Sequence, residues 1–327
     1  MHVEKLDLAV IGAGPCGLAV GIAARTAGLR CTLFDKSCVA SSISRYPTHM
    51  TFFSTAERLE IANVPFIVAG EKPTRREALR YYQRLARQFE LDVRQYETVR
   101  AVSRAGDDFL LETAPATAAS RQHHARNVVI ATGYFDSPNV LGIPGEELPK
   151  VSHYYREGHV FYDQDCVIVG GGNSAVDAAL ELYRWGARVT VVHFAETLDP
   201  NVKPWVRPDI DARLREGAIA ARFRSRITEI LPDRVILTDV QTGESSELHN
   251  DWVLAMTGYT PDGTLLRSLG VTFDAESGVP HHDPASMQTN VPGVLSAGYH
   301  ANRVFIENGR DHGSRIVAEL MRSLRVT

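Results

Sequence analysis

The chain has 327 residues and a mass of 36.0 kDa, room for about two domains that each bury a core, which excludes a single small module. Apolar residues make up 44% and charged residues 23%, a balance that excludes disordered, collagen-like and disulfide-dense chains. Lysine and arginine total 35 against 39 acids, a net charge of −4, so neither nucleic acid nor a membrane surface is an expected partner.

The amino terminus carries no cationic flank, apolar stretch and cleavage site of a secretory signal, and no apolar run approaches the roughly 18 to 20 residues of a membrane helix. A cytoplasmic location is the expectation. Cys16, Cys31, Cys38 and Cys166 show neither C-x-x-C nor zinc-type spacing, so neither a disulfide framework nor a metal site is expected.

From the amino terminus, LDLAVIGAGPCGLAVGIAARTAGLRCTLFDK reads as a strand, a glycine turn, an alanine-rich helix ending at Gly28, and a second strand ending on an acid. Within it, Gly12-Ala13-Gly14-Pro15-Cys16-Gly17 is a G-x-G-x-x-G fingerprint in its strand-to-helix context. Gly12 permits the tight turn, Gly14 lets the backbone approach a pyrophosphate, and Gly17 lets helix pack on strand, while free N–H groups at the helix start hold the anion. Asp35 lies 18 residues beyond Gly17, close to the roughly 20-residue spacing of an acid that accepts from a ribose hydroxyl, and Lys36 follows it. This is a dinucleotide site.

Residues 74 to 90 predict a helix with a capping box at Thr74 and Glu77 and an apolar repeat through Leu79, Tyr82, Leu85 and Phe89. Its arginines, Arg75, Arg76, Arg80, Arg84 and Arg87, read as a solvated face. Short strands follow from Leu91 to Ala114, then a polar loop and the strand NVVIATGY. A second strand, turn, helix, strand unit begins at Cys166 with Gly170-Gly171-Gly172-Asn173-Ser174-Ala175, a G-x-G-x-x-A fingerprint. Strands ARFRSRITEI, RVILTDV and DWVLAMTGY come after it, so the second half repeats the first, with Gly12 matched by Gly170 and Thr132-Gly133-Tyr134 by Thr257-Gly258-Tyr259.

The expected class is α/β, with two nested Rossmann-like, doubly wound, three-layer dinucleotide-binding domains, the second inserted in the first. Residues 1–148 form the first part of one domain and 149–259 the insertion; 260–327 return with the strand GVLSAG and a helix from about Gly309 to Arg325. At the end of the inserted domain's second strand, VTVVHF offers His193 and Phe194 where NAD enzymes place an acid and NADP enzymes an arginine. Arg188, Lys203 and Arg207 are candidate cations; NADPH is favoured and NADH stays open.

Two nested nucleotide-binding units joined by Ala131-Thr132-Gly133 resemble the two-domain flavoprotein disulfide reductases of the thioredoxin-reductase type. Gly14-Pro15-Cys16-Gly17, Tyr46-Pro47-Thr48-His49-Met50-Thr51-Phe52-Phe53-Ser54, Asn63-Val64-Pro65-Phe66, Lys203-Pro204-Trp205 and Phe305-Ile306-Glu307-Asn308-Gly309 together resemble the YpdA-type bacillithiol disulfide reductases. That resemblance implies FAD in the first domain, NADPH in the insertion, a small-molecule disulfide as substrate, and a homodimer or homotetramer. It also implies flavin contacts at Thr132, Gly133, Gly298, Phe305 and Ile306, and makes Tyr46, Thr48, His49, Thr51, Phe52 and Ser54, with their flat rings and short hydroxyls, a lining for the isoalloxazine. Three departures from the thioredoxin-reductase pattern stand out: the C-x-x-C pair is absent, Tyr299 follows Ala297-Gly298 in place of aspartate, and Phe194 stands where an arginine is expected.

Cys16 is the candidate catalytic thiol, in the first turn of a helix where unpaired N–H groups lower a thiol's pKa; the alternative is a small packing residue. Cys31 and Cys166 read as inert strand residues. His49 and His312 are candidate proton donors to departing thiolates, against the alternative of loop histidines in solvent. Two other functions stay open: a flavin monooxygenase, and a flavoprotein reduced by ferredoxin rather than by NAD(P)H.

Overall fold

Lys5–Ile11 (β1) is a near-continuous apolar run, as a strand covered on both faces of a parallel sheet requires. In the computed structural model, which describes residues 5–298 and 306–326, it is followed by Pro15–Thr26 (α1), Cys31–Asp35 (β2), Ser41–Ser44 (α2), Ala56–Leu59 (α3), Arg75–Gln88 (α4), Asp92–Gln95 (β3), Glu97–Ala105 (β4), Asp108–Pro115 (β5) and Arg121–Ile130 (β6). Next come Val151–Ser152 (β7), Asp165–Val169 (β8), Asn173–Arg184 (α5), Arg188–Val192 (β9), Arg207–Arg215 (α6), Ala220–Arg222 (β10), Ser225–Ile230 (β11), Arg234–Asp239 (β12), Ser245–His249 (β13) and Trp252–Ala255 (β14). Thr264–Ser268 (α7), Val294–Ser296 (β15), Ile306–Gly309 (α8) and His312–Val326 (α9) complete the order.

These elements form two units, one of Met1–Arg45, His49–Ser137 and Pro261–Thr327, the other of Tyr46–Thr48 and Pro138–Thr260. In the first, a seven-stranded sheet runs β3-β2-β1-β6-β5-β4, with β15 also paired to β6. Strands β3, β2, β1, β6 and β15 are mutually parallel, and β4, β5 and β6 form an antiparallel meander. Helix α1 buries Leu18, Ala19, Val20, Ile22 and Ala24, so it is apolar almost all round. In the second unit, a parallel sheet β10-β9-β8-β14-β7 is accompanied by an antiparallel sheet β11-β12-β13.

The first boundary falls at 137/138 rather than at 148/149. Leu141, Ile143, Leu148 and Val151 pack on the core of Val167, Ile227, Ile230, Val235 and Val253, and Pro138 bridges Tyr259, so apolar contact draws this stretch into the second unit. The expected strand ARFRSRITEI is two strands: Arg224 takes φ 51°, which breaks the run and sends β10 to the parallel sheet and β11 to the antiparallel one. Helix α4 has its capping box, with Thr74 and Glu77 bonding reciprocally. Arg75 departs from the solvated face, because its Nε and Nη2 donate to the carbonyls of Ile43 and Ser44 at the end of α2. The carboxyl-terminal helix α9 begins at His312, after the separate short α8.

Cys31 and Cys166 lie in β2 and β8, and burial pushes both thiols up to about 12 from 9.0, with Asp92 adding to the first shift and Asp251 and Asp165 to the second. Their folded pKa is raised, so their contribution to stability is complete below the unfolded value and is lost as pH climbs from there toward 12. Urea midpoints are therefore expected to fall from pH 9 to 10.5, and the fall to shallow in Cys31→Ala and Cys166→Ala; equal slopes in all three proteins contradict this assignment.

Candidate dinucleotide sites

Strand β1 ends at Ile11, and the chain turns into α1 through Gly12 at φ +112°, where a Cβ would lie 2.3 Å from the carbonyl oxygen of Ala131 just beyond β6. Only glycine allows the two strand ends to approach so closely. A Cβ on Gly17 would meet the Gly12 oxygen at 1.9 Å, whereas one on Gly14 would meet nothing within 4 Å. Gly14 is the N-cap and gives no side-chain cap to α1, whose first residue is Pro15. The open space at Gly14 and the uncapped N–H groups of Cys16 and Gly17 fit a pyrophosphate.

Asp35 is 8% exposed, and its two oxygens accept from the N–H groups of Ala13 and Ser37, each at 2.8 Å. The acid expected at a ribose thus also fastens the fingerprint loop to the end of β2, each oxygen keeping a second lone pair. Lys36 pairs with Asp136 at 2.9 Å, and Asp136 also pairs with Arg45, so Lys36 ties the loop after β2 to the chain after β6.

The second fingerprint repeats this construction. Gly170 has φ +137°, and a Cβ there would meet the carbonyl oxygen of Met256 at 2.5 Å. Met256 occupies the place in Met256-Thr257-Gly258 that Ala131 occupies in Ala131-Thr132-Gly133, and the two closing glycines have φ +85° and +69°. Gly172 has open space and again caps its helix, α5, without a side chain. Asn173 accepts from the Lys203 N–H at 2.8 Å and donates to the Asn201 carbonyl at 3.3 Å, which holds the 199–203 loop; Ser174 is exposed and Ala175 is buried.

His193 lies directly over Gly171, where a Cβ would sit 2.5 Å from its Nε2. Burial lowers its pKa; Asp199 opposes the shift and Arg226 adds to it. None of the three candidate cations stands free at this strand end. Arg188 pairs with Asp163 and Asp165 at the opposite end of β9, Lys203 with Asp177 at 2.5 Å, and Arg207 with Asp211 at 2.9 Å. The signal overlooked in the sequence is the alternation Arg222, Arg224, Arg226.

The structure overturns the expectation of a lowered Cys16 pKa. Cys16 keeps some surface, but its sulphur lies 3.0 Å from where a Cβ on Gly298 would sit and 2.3 Å from one on Gly309. Burial pushes the thiol up to about 12, so desolvation outweighs the helix terminus. Gly298 also donates its N–H to Nδ1 of His312 at 3.0 Å, and His312 is 1% exposed rather than in solvent. A neutral ring accepting at Nδ1 carries its proton on Nε2.

The Tyr46 to Ser54 stretch divides between the units. Thr48 donates its N–H to the Arg156 carbonyl at 2.9 Å, and Tyr46 belongs with it to the second unit. In the first unit, His49 is exposed, Thr51 bridges Thr74, Phe52 is buried, and Ser54 Oγ donates to Glu307 at 3.3 Å. Thr132 and Gly133 follow β6 and are half-buried, and Ile306 opens α8. Phe305 lies outside the described residues.

Residues 9–298 match the model of a family described as pyridine nucleotide-disulphide oxidoreductase. The chain belongs to that family. It is an oxidoreductase of the flavin- and nicotinamide-using kind. It is 43% identical over 319 residues to the bacilliredoxin reductase Bdr of Bacillus subtilis (strain 168), covering 95% of this chain and 96% of the relative. Among solved structures, the bacillithiol disulfide reductase Bdr (YpdA) of Bacillus cereus superposes with a TM-score of 0.94 at 41% identity, covering 98% of this chain and all of that one. Its counterpart from Staphylococcus aureus gives 0.92 at 38%, covering 98% and 99%. The resemblance carried by the Gly14-Pro15-Cys16-Gly17 and Lys203-Pro204-Trp205 segments is thereby borne out. Among the described residues, no helix is long and apolar enough to cross a membrane.

Proposed function

We propose that this protein is an FAD-containing, NADPH-dependent reductase of a bacillithiol-type disulfide. The observation that carries the reading is the duplicated construction, in which Gly12 meets the Ala131 carbonyl and Gly170 the Met256 carbonyl, in a chain similar over nearly its whole length to proteins named for that activity. When bound, FAD relays two electrons from NADPH toward the disulfide. The chain's share is to hold and to exchange. The first turn of α1 would hold the flavin's pyrophosphate and Asp35 the ribose edge, while Thr132, Gly133 and Gly298 would be the residues offered to the ring.

Among the described residues the four cysteines are free, and Cys16 alone sits in the fingerprint. We place the thiol–disulfide exchange there. The Cys16 sulphur attacks RSSR, forming Cys16–S–S–R and releasing RSH with the Cys16 proton; two electrons and two protons, supplied overall by NADPH and one proton from solvent, then restore the Cys16 thiol and release the second RSH. His312 is a positioning residue, orienting Gly298 against the sulphur, and the exposed His49 is the group open to protons from solvent.

NADPH oxidation by the purified protein is expected with oxidised bacillithiol, alone or through a bacilliredoxin, and not with cystine or oxidised glutathione. It is expected to continue without oxygen. Substrate-dependent oxygen uptake overturns the reading in favour of a monooxygenase, and reduction by ferredoxin with neither nicotinamide active overturns NADPH as donor.

A further inference from the structure

The end of β9 is the place where a dinucleotide fold meets the 2′ position of the adenosine ribose. Here the strand ends on His193 and Phe194 rather than on an acid. His193 is turned onto Gly171, and burial disfavours its charged form.

Another segment lies alongside this strand end. His193 donates its N–H to the Arg222 carbonyl at 3.0 Å, Ser225 donates to the His193 carbonyl at 3.1 Å, and Arg224 donates to the Ala195 carbonyl at 2.9 Å. These bonds lay the run Arg222 to Arg226 against His193 to Ala195. Arg222, Arg224 and Arg226 are all exposed. Arg224 lies within electrostatic reach of Asp239, while Arg226 places its guanidinium 4.8 Å from the centroid of the Phe194 ring. Phe194 is 53% exposed. No ion pair to a carboxylate engages Arg226 among the described residues.

A guanidinium seated over an aromatic face can still present N–H donors to an anion, and its planar fork matches two phosphate oxygens. We propose that Arg226, seated over the Phe194 ring, is the residue that binds the 2′-phosphate of the nicotinamide dinucleotide and so selects NADPH over NADH. The inference rests on the two-nucleotide reading above and supplies the cation that Arg188, Lys203 and Arg207 do not. Arg222 and Arg224 raise the positive potential around it, so binding weakens as salt rises.

The test is calorimetric titration of the flavin-loaded protein with 2′,5′-ADP and with 5′-ADP. The unmodified protein is expected to bind 2′,5′-ADP the more tightly. Arg226→Ala is expected to weaken 2′,5′-ADP on the order of tenfold to a hundredfold, as loss of a charge-assisted bidentate contact does, with 5′-ADP little affected. Arg226→Lys should recover part of the loss, since it restores charge without the fork. Unchanged flavin absorbance and melting temperature in each variant show that it is folded. Equal binding of the two ligands by the unmodified protein overturns NADPH preference itself. A preference for 2′,5′-ADP that survives Arg226→Ala overturns the assignment of Arg226 and leaves NADPH preference standing.

Discussion

Gly12→Ala is expected to yield a protein that purifies without flavin, whereas Gly170→Ala is expected to stay yellow and resist reduction by NADPH. Each substitution puts a Cβ 2.3 or 2.5 Å from a carbonyl oxygen of the adjoining strand end, and each demands a φ, +112° or +137°, that side chains rarely adopt. Backbone strain of this kind costs on the order of 1–3 kcal/mol, and the collision adds to it. The loop that should receive a pyrophosphate is then displaced, in the first unit for Gly12 and in the second for Gly170. The opposite phenotypes follow from the separateness of the two sites. Flavin content and anaerobic reduction, measured on both variants, check the pair; a Gly170→Ala protein reduced at the normal rate contradicts the role given to the second fingerprint.

Cys16→Ser is expected to retain flavin and its reduction by NADPH, and to lose turnover of oxidised bacillithiol on the order of a hundredfold or more. Serine fits the space beside Gly298 and Gly309 but cannot form a disulfide. Burial also dictates a pH dependence. With the thiol pushed up to about 12, the thiolate fraction is small at neutral pH and grows about tenfold per pH unit, so an exchange-limited rate should climb from pH 7 to 9 without a plateau. Undiminished turnover in Cys16→Ser removes the residue from the mechanism, and a plateau below pH 8 contradicts the raised pKa.

The two fingerprints, the duplicated order of elements and the capped helix at Thr74 were legible because each is encoded by neighbours in the chain: glycines at fixed spacing, period-two and period-3.6 apolarity, a hydroxyl three residues before a glutamate. What was not legible depends on residues far apart in sequence. The state of Cys16 is set by Gly298 and Gly309 at the other end of the chain. Arg75 was lost from the solvated face to the carbonyls of Ile43 and Ser44. The stretch from 138 to 148 reads from sequence as the end of the first domain, yet Leu141, Ile143 and Leu148 bind it to the second unit's core. Arg226 is not legible in the sequence because its partner, Phe194, is on another strand end, and the backbone bonds of 193–195 with 222–225 bring them together.

The measurement that bears most directly on the whole account is an anaerobic titration of the purified protein with NADPH, followed through the flavin absorbance. A yellow protein holding FAD, bleached by NADPH and recoloured by oxidised bacillithiol in the absence of oxygen, is the expected result. A colourless protein that cannot be reconstituted with FAD contradicts it.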